Sequence, residues 1–228
     1  MFNAYNSNGV NRWKPVLTIF VLGLLLLIYF KSGLWEKVSV QNLRELGSNP
    51  YAPLLIIAAM TIVWTFPLPA SIFFFITPLL YPPVESTVII TAGSMLGSTS
   101  GYIAARNISG NYADKYRSNK ITQFLKRHST FGSIFALRIV PSSPHFLINY
   151  GAGILKIPIH IFLTATFIAI GIKGYLYSSA VNSGIGASSL SEALGMNTIL
   201  PLFALAALAI LGKILKDKID KNQKETDQ

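Results

Sequence analysis

Between Glu45 and Glu85 the chain carries no charged residue, yet it contains Pro50, Pro53, Pro67, Pro69, Pro78, Pro82 and Pro83. The stretch is too long for one ordinary membrane span and too proline-rich for an unbroken one, because an interior proline removes a backbone donor and clashes with the preceding turn. A hairpin fits: two short apolar arms either side of Phe66-Pro67-Leu68-Pro69. In hydrocarbon the carbonyls freed at such a break must be buried in protein or line a wet cavity. The chain therefore needs a bilayer, and at bilayer depth it needs other protein around a kink.

Composition points the same way. Of 228 residues, 51% are hydrophobic and only 12% charged, the wrong balance for a soluble domain of this length. Nineteen Lys and Arg against 9 Asp and Glu give a net charge of +10. The positives gather at Arg12 and Lys14, between Arg106 and Arg127, and between Lys213 and Lys224, each beside a long apolar run, which favours topology over nucleic acid. The absence of cysteine rules out disulfides, thiolate metal sites and a Cys nucleophile. Three scattered histidines without acidic companions give no metal site, and His160 reads as interfacial. No Gly-rich phosphate loop, Ser-His-Asp order or intramembrane carboxylate pair is present, so neither an enzyme nor a cofactor is expected.

The apolar run Pro15 to Phe30 follows a basic N-region and reads as a cleaved signal peptide or a retained helix. The second is favoured: Lys31-Ser32-Gly33-Leu34-Trp35-Glu36 offers no small-x-small cleavage site, and Tyr29, Phe30 and Trp35 form an interfacial belt. Ser86 to Ala105 spans, with Gly93, Gly97 and Gly101 four apart to let helices approach closely. From Arg106 to His128, Ile108, Tyr112, Tyr116, Ile121, Phe124 and Leu125 can share one face opposite Lys115, Arg117, Lys120, Lys126 and Arg127. This is a basic amphipathic surface helix or a solvated loop. Ser129 to Leu155 is a second hairpin, followed by spans at Pro158 to Ala180 and Asn197 to Leu215 across a Ser/Gly-rich connection, Asn182 to Gly195.

The expected fold is an all-α polytopic membrane protein with transmembrane helices and two re-entrant helical hairpins. It divides into an N-terminal region (1–49), a core (50–186) and a last helix with a basic tail (187–228). With both termini in the cytoplasm, all three basic clusters obey the positive-inside rule. Each hairpin precedes a full span, which suggests an inverted repeat with the hairpins meeting near the midplane, as in many secondary transporters.

The segment carrying the chemistry runs from Phe135 to Gly153. An arginine at membrane depth costs between about 2.5 and 17 kcal/mol depending on the reference state, so Arg138 must be hydrated, paired or hydrogen-bonded. Pro141 and Pro144 break the helix beside it, exposing carbonyls that could hold the guanidinium or leaving it to face an anionic head group. His145 and Asn149 add polar contacts. Two readings stand: Arg138 staples its hairpin through carbonyls, or it lies on a substrate or proton path. Lys173, within an apolar span, either snorkels to the interface or meets a head group. Glu85 marks the interfacial start of its span or serves as a displaced counter-ion for Arg138.

Arg138-x-x-Pro141-x-x-Pro144, then Asn149, Gly151 and Gly153, then Phe162-Leu-Thr-Ala-Thr166 and Gly171-Ile-Lys173-Gly174-x-x-Tyr177, resembles the DedA-type, SNARE-associated (VTT-domain) family over roughly Pro50 to Gly186. The resemblance implies two re-entrant hairpins, inverted-repeat character, and a role in membrane homeostasis through scrambling or translocating phospholipid or lipid phosphate. Two departures stand out. Pro69-Ala70-Ser71 lacks the acid that family members often carry after the first hairpin's proline, and Lys173 replaces a common proline. The expected path residues are Arg138, Pro141, Pro144, His145, Asn149, Gly151, Gly153, Pro67, Pro69 and Lys173, in an inner cell membrane whose anionic lipids are the partners. A homo-oligomer is compatible with this. A secondary transporter of a small anion, an ion exchanger, and a non-transporting assembly protein are the alternatives.

Overall fold

The computed structural model describes residues 40–107, 119–141, 143–187 and 189–226. The apolar run from Pro15 with its two readings, the belt at Trp35, and the part of the basic face between Ile108 and Arg117 lie outside the described residues.

Prolines set the helix boundaries. Helix α1 (Val40–Gly47) precedes α2 (Ala52–Thr65), which has Pro53 in its first turn, where a missing N–H costs nothing. Its 14 residues cover about 21 Å, well short of the roughly 30 Å hydrocarbon thickness. Helix α2 stops at Phe66 because Pro67 and Pro69 forbid continuation; the chain re-enters helix through one 3₁₀ turn (Ala70–Ile72) and α3 (Phe73–Leu80). Pro82 and Pro83 then start α4 (Pro83–Arg106).

The second half repeats the order. Asn119 caps α5 (Lys120–Arg127) by accepting from the Ile121 amide at 2.9 Å. Helix α6 (Phe131–Ile139) ends in a break through Val140 to Pro144, α7 (His145–Ile154) returns, and α8 (Ile159–Gly186) is a full span. A short α9 (Leu190–Ala193) leads to α10 (Met196–Thr226). Helices α4, α8 and α10 are long and apolar enough to cross a membrane, and no strand occurs among the described residues. The chain is thus an all-helical polytopic membrane protein. Two boundaries differ from expectation: α8 consumes the start of the Ser/Gly-rich connection, and the basic tail continues the last helix.

The hairpins enter from opposite sides. Near the end of α8, the Asn182 side-chain amide donates to the carbonyls of Pro78 (2.9 Å) and Tyr81 (3.0 Å), placing the open end of the first hairpin beside the start of α4. At the other end of α4, the Tyr102 hydroxyl donates to the Ile157 carbonyl at 2.7 Å, and Gly153 packs on Tyr102 and Ala105, placing the open end of the second hairpin there. Packing is exchanged between halves as well: α2 lies on α4 and α6 on α8, while α3 lies on α8 and α7 on α4. This is the relationship that an in-plane two-fold generates. The basic end of α10 meets the basic α5 on the second hairpin's side, where Lys216 Nζ lies 5.7 Å from the Phe124 ring centroid.

The glycine stripe of α4 serves both hairpins. A Cβ at Gly93 would lie 2.7 Å from Met60 Cβ, one at Gly97 would collide with Trp64, and one at Gly101 would lie 3.2 Å from Asn149 Cβ. Small residues here let α2 and α7 reach α4 at the depth where both helices break.

Candidate functional site

Arg138 sits one residue before the end of α6 and is fully buried. Its Nη2 donates to Asn149 Oδ1 at 2.5 Å and to Ser98 Oγ at 3.3 Å; its Nη1 lies 3.3 Å from His145 Nδ1. A guanidinium can only donate, so Nδ1 accepts and the ring proton resides on Nε2. The Phe162 ring lies 5.3 Å from the guanidinium carbon. One side chain thus ties α6 to α4, to α7 and to the face of α8.

Asn149 extends the link across the hairpins. While its oxygen accepts from Arg138, its Nδ2 donates to the Trp64 carbonyl at 3.1 Å, one of the carbonyls left free where α2 ends. Trp64 in turn lies against the His145 ring, with centroids 4.2 Å apart.

Lys173 is the other buried cation, 1% exposed, at the middle of α8. It does not snorkel. Its Nζ donates to the Arg138 carbonyl at 2.8 Å and reaches the Val140 carbonyl at 3.4 Å, satisfying the frayed end of α6. The Ser143 hydroxyl donates to the carbonyls of Leu137 and Val140 at the same break. Carbonyl stapling therefore belongs to Lys173 and Ser143, whereas Arg138 bonds side chains.

A cavity of about 510 Å³ opens between the two breaks, lined by Trp64, Pro67, Pro69 and Ser71 of the first hairpin and by Ser143, Pro144, His145 and Phe146 of the second. The first turn of α7 and the 3₁₀ turn before α3 both border it. Unsatisfied N–H groups at helix starts favour negative charge, so this lining is suited to an anionic group. A chamber of about 80 Å³ adjoins it, bounded by Ser71, Phe74, Phe75, His145, Lys173 and Tyr177. Ser71 and His145 belong to both.

The expected site residues are therefore split. Pro67, Pro69, Pro144 and His145 face the larger cavity; Arg138 and Asn149 lie behind His145; Lys173 faces the smaller chamber; Pro141 lies in the break but outside both linings. Gly151 and Gly153 lie elsewhere, packing on Thr122 and Leu125 of α5 and on Tyr102 and Ala105 of α4. Glu85 is exposed in the first turn of α4, 13 residues from Ser98 and hence about 20 Å along the helix, so it is not the counter-ion of Arg138. His160 is exposed at the start of α8. Among the described residues no carboxylate pairs with Arg138 or Lys173. Sequence reasoning missed Trp64, Ser71, Ser98 and Tyr177. Ser98 follows Gly97 of the stripe and Trp64 precedes the first proline pair, the signals that could have marked them.

The VTT domain family model matches residues 68–183, from the first break to near the end of α8. Transmembrane protein 41B of Xenopus tropicalis is 29% identical over 163 residues, covering 69% of this chain and 59% of that protein. The Transmembrane protein 41 homolog of Dictyostelium discoideum is 30% identical over 171 residues (71% and 50%), and human Transmembrane protein 41B is 28% identical over 161 residues (68% and 55%). The chain thus spans between half and three-fifths of the length of these relatives. No solved structure matches it. With the matched segment covering both proline breaks, the buried arginine and the span that carries Lys173, the chain belongs to the VTT-domain family of DedA-type, SNARE-associated membrane proteins.

Proposed function

We propose that this protein lets lipid head groups cross the bilayer through the space between the two hairpin breaks, acting as a translocation path rather than as an enzyme. The observation that carries this reading is the cavity of about 510 Å³ bounded by both breaks, with Arg138, His145 and Asn149 linked behind its wall. It offers polar groups and helix starts at a depth where a phosphate otherwise meets hydrocarbon, and its apolar rim of Phe66, Leu68 and Phe146 suits the acyl chains outside. Arg138 lies behind His145, so contact with a phosphate requires the breaks to part. Phospholipids and lipid phosphates with anionic head groups are the cargo class, and membrane homeostasis in the inner cell membrane is the role. The cytoplasmic face is the basic one, where α5 and the end of α10 meet. The test is a dithionite-quench assay with fluorescent lipid in proteoliposomes. Transport above that of empty vesicles is expected; none from folded protein overturns the reading.

A further inference from the structure

The 80 Å³ chamber behind Ser71 and His145 is not needed for a lipid path, and it is too small for one. At about 30 Å³ per water in the liquid, it has room for roughly two to three water-sized species, enough for a halide but not for a glycerophosphate. Its wall contains one basic side chain, Lys173, whose Nζ also lies 5.6 Å from the Phe74 ring centroid. Arg138, a second basic side chain, is joined to Lys173 through its own carbonyl and to the chamber wall through His145. Both side chains are at most 1% exposed, and their partners among the described residues are neutral dipoles. Two like charges held at this depth without a carboxylate leave an excess positive potential that dipoles only partly offset. Arg138 Nε is also without a partner among the described residues. The chamber adds hydroxyls from Ser71 and Tyr177 that can donate to an anion.

We propose that the chamber binds one small monovalent inorganic anion, of the size of chloride, as a resident counter-ion to Lys173 and Arg138, reached from the larger cavity through the neck formed by Ser71 and His145. The anion does structural work: it holds two cations of like sign beside one broken helix, whether or not lipid moves through the adjacent cavity. A ligand that binds only the folded state raises the unfolding temperature in proportion to the logarithm of its concentration.

The test uses the full chain in phosphatidylcholine nanodiscs, heated in sodium chloride or sodium gluconate at matched ionic strength. The expected result is an unfolding temperature several degrees higher in chloride and rising with chloride concentration. Ser71→Leu, which places an apolar side chain in the neck, should remove this dependence while unfolding cooperatively at the wild-type gluconate temperature. Crystals grown in bromide should show an anomalous peak beside Lys173 Nζ. Equal temperatures in the two salts overturn the proposal, as does a chloride effect that survives in Ser71→Leu. A shift produced only by added phosphatidylglycerol also overturns it, because the anion would then be a head group rather than a free ion.

Discussion

Lys173 Nζ donates to the main-chain carbonyl of Arg138 at 2.8 Å, so one buried cation holds the backbone that carries the other. Replacing Lys173 by Met leaves the carbonyls of Arg138 and Val140 without this donor, a loss of about 1.5–3 kcal/mol for charge-assisted bonds. It also removes the cost of burying an ammonium, which acts in the opposite direction and can be as large. The net change in global stability is therefore expected within about 2 kcal/mol. The local effect has no such offset. Amide exchange from Phe131 to Phe146 should accelerate by about tenfold or more, as 1.4 kcal/mol per decade requires. Unchanged exchange there would mean the contact does not hold the break.

Asn149→Leu is the costlier change, because its size is conserved while both of its roles vanish. Arg138 Nη2 keeps only the 3.3 Å bond to Ser98, and the Trp64 carbonyl is orphaned. Stranding part of a buried charge costs about 3–5 kcal/mol, against about 1 kcal/mol for an ordinary neutral bond. Thermal unfolding in detergent should show a loss toward that upper range, with altered Trp64 emission, since its ring lies 4.2 Å from that of His145. A loss no larger than that of a lipid-facing substitution would remove Asn149 from the link between hairpins.

The glycines of α4 and α8 separate close packing from helix propensity. At Gly97 a methyl group would meet the Trp64 side chain and the Thr61 carbonyl, both on α2, so Gly97→Ala should destabilise by about 1–3 kcal/mol through overpacking. A Cβ at Gly171 would meet nothing within 4 Å among the described residues beyond its own helix backbone, so Gly171→Ala should be neutral or stabilising by up to about 1 kcal/mol. Comparing unfolding midpoints of the two variants checks the sign of the difference.

Proline and charge patterns made the architecture legible, and depth made the site only partly so. Pro67, Pro69, Pro141 and Pro144 act locally, through the donor each removes, so both breaks could be placed from residues next to them. Arg138 could be recognised as a group needing partners, and His145 and Asn149, 7 and 11 residues on in the same segment, could be named with it; Ser98 of α4 could not, because tertiary packing that no local pattern encodes brings it close. Of the two readings of Glu85, only the counter-ion fails, because distance along the helix decides it. A carboxylate in the first turn of a 24-residue helix lies far from a guanidinium bonded to the sixteenth residue of that helix. Of the two readings of Lys173, snorkelling does not hold, because it needs an unobstructed route to the interface, whereas here two frayed carbonyls lie within reach.

The placement of α5 against the end of α10 makes topology testable with single cysteines, since the chain has none of its own. Ser48 lies beyond α1 on the first hairpin's side, and Lys218 lies on the opposite, basic side; both are exposed. In intact cells a membrane-impermeant maleimide should label Ser48→Cys and not Lys218→Cys, with the reverse in inside-out vesicles. Equal labelling of both in intact cells would contradict a basic face in the cytoplasm.

The decisive mechanical question is whether the two breaks must part for lipid to pass. Leu68 and Phe146 line the same cavity from opposite hairpins, and Arg138 is screened from that cavity by His145. A phosphate can therefore reach the guanidinium only if Pro144 and His145 move relative to Pro67 and Trp64. In a Leu68→Cys, Phe146→Cys variant, bridging the two thiols with a cleavable bis-maleimide should suppress lipid movement in the proteoliposome assay, and cleaving the linker should restore it. Each single-cysteine variant treated with the same reagent controls for simple plugging of the cavity and should retain most of its transport. Full transport in the bridged double variant would place the lipid route elsewhere, along the outer faces of α8 and α10 rather than between the hairpins.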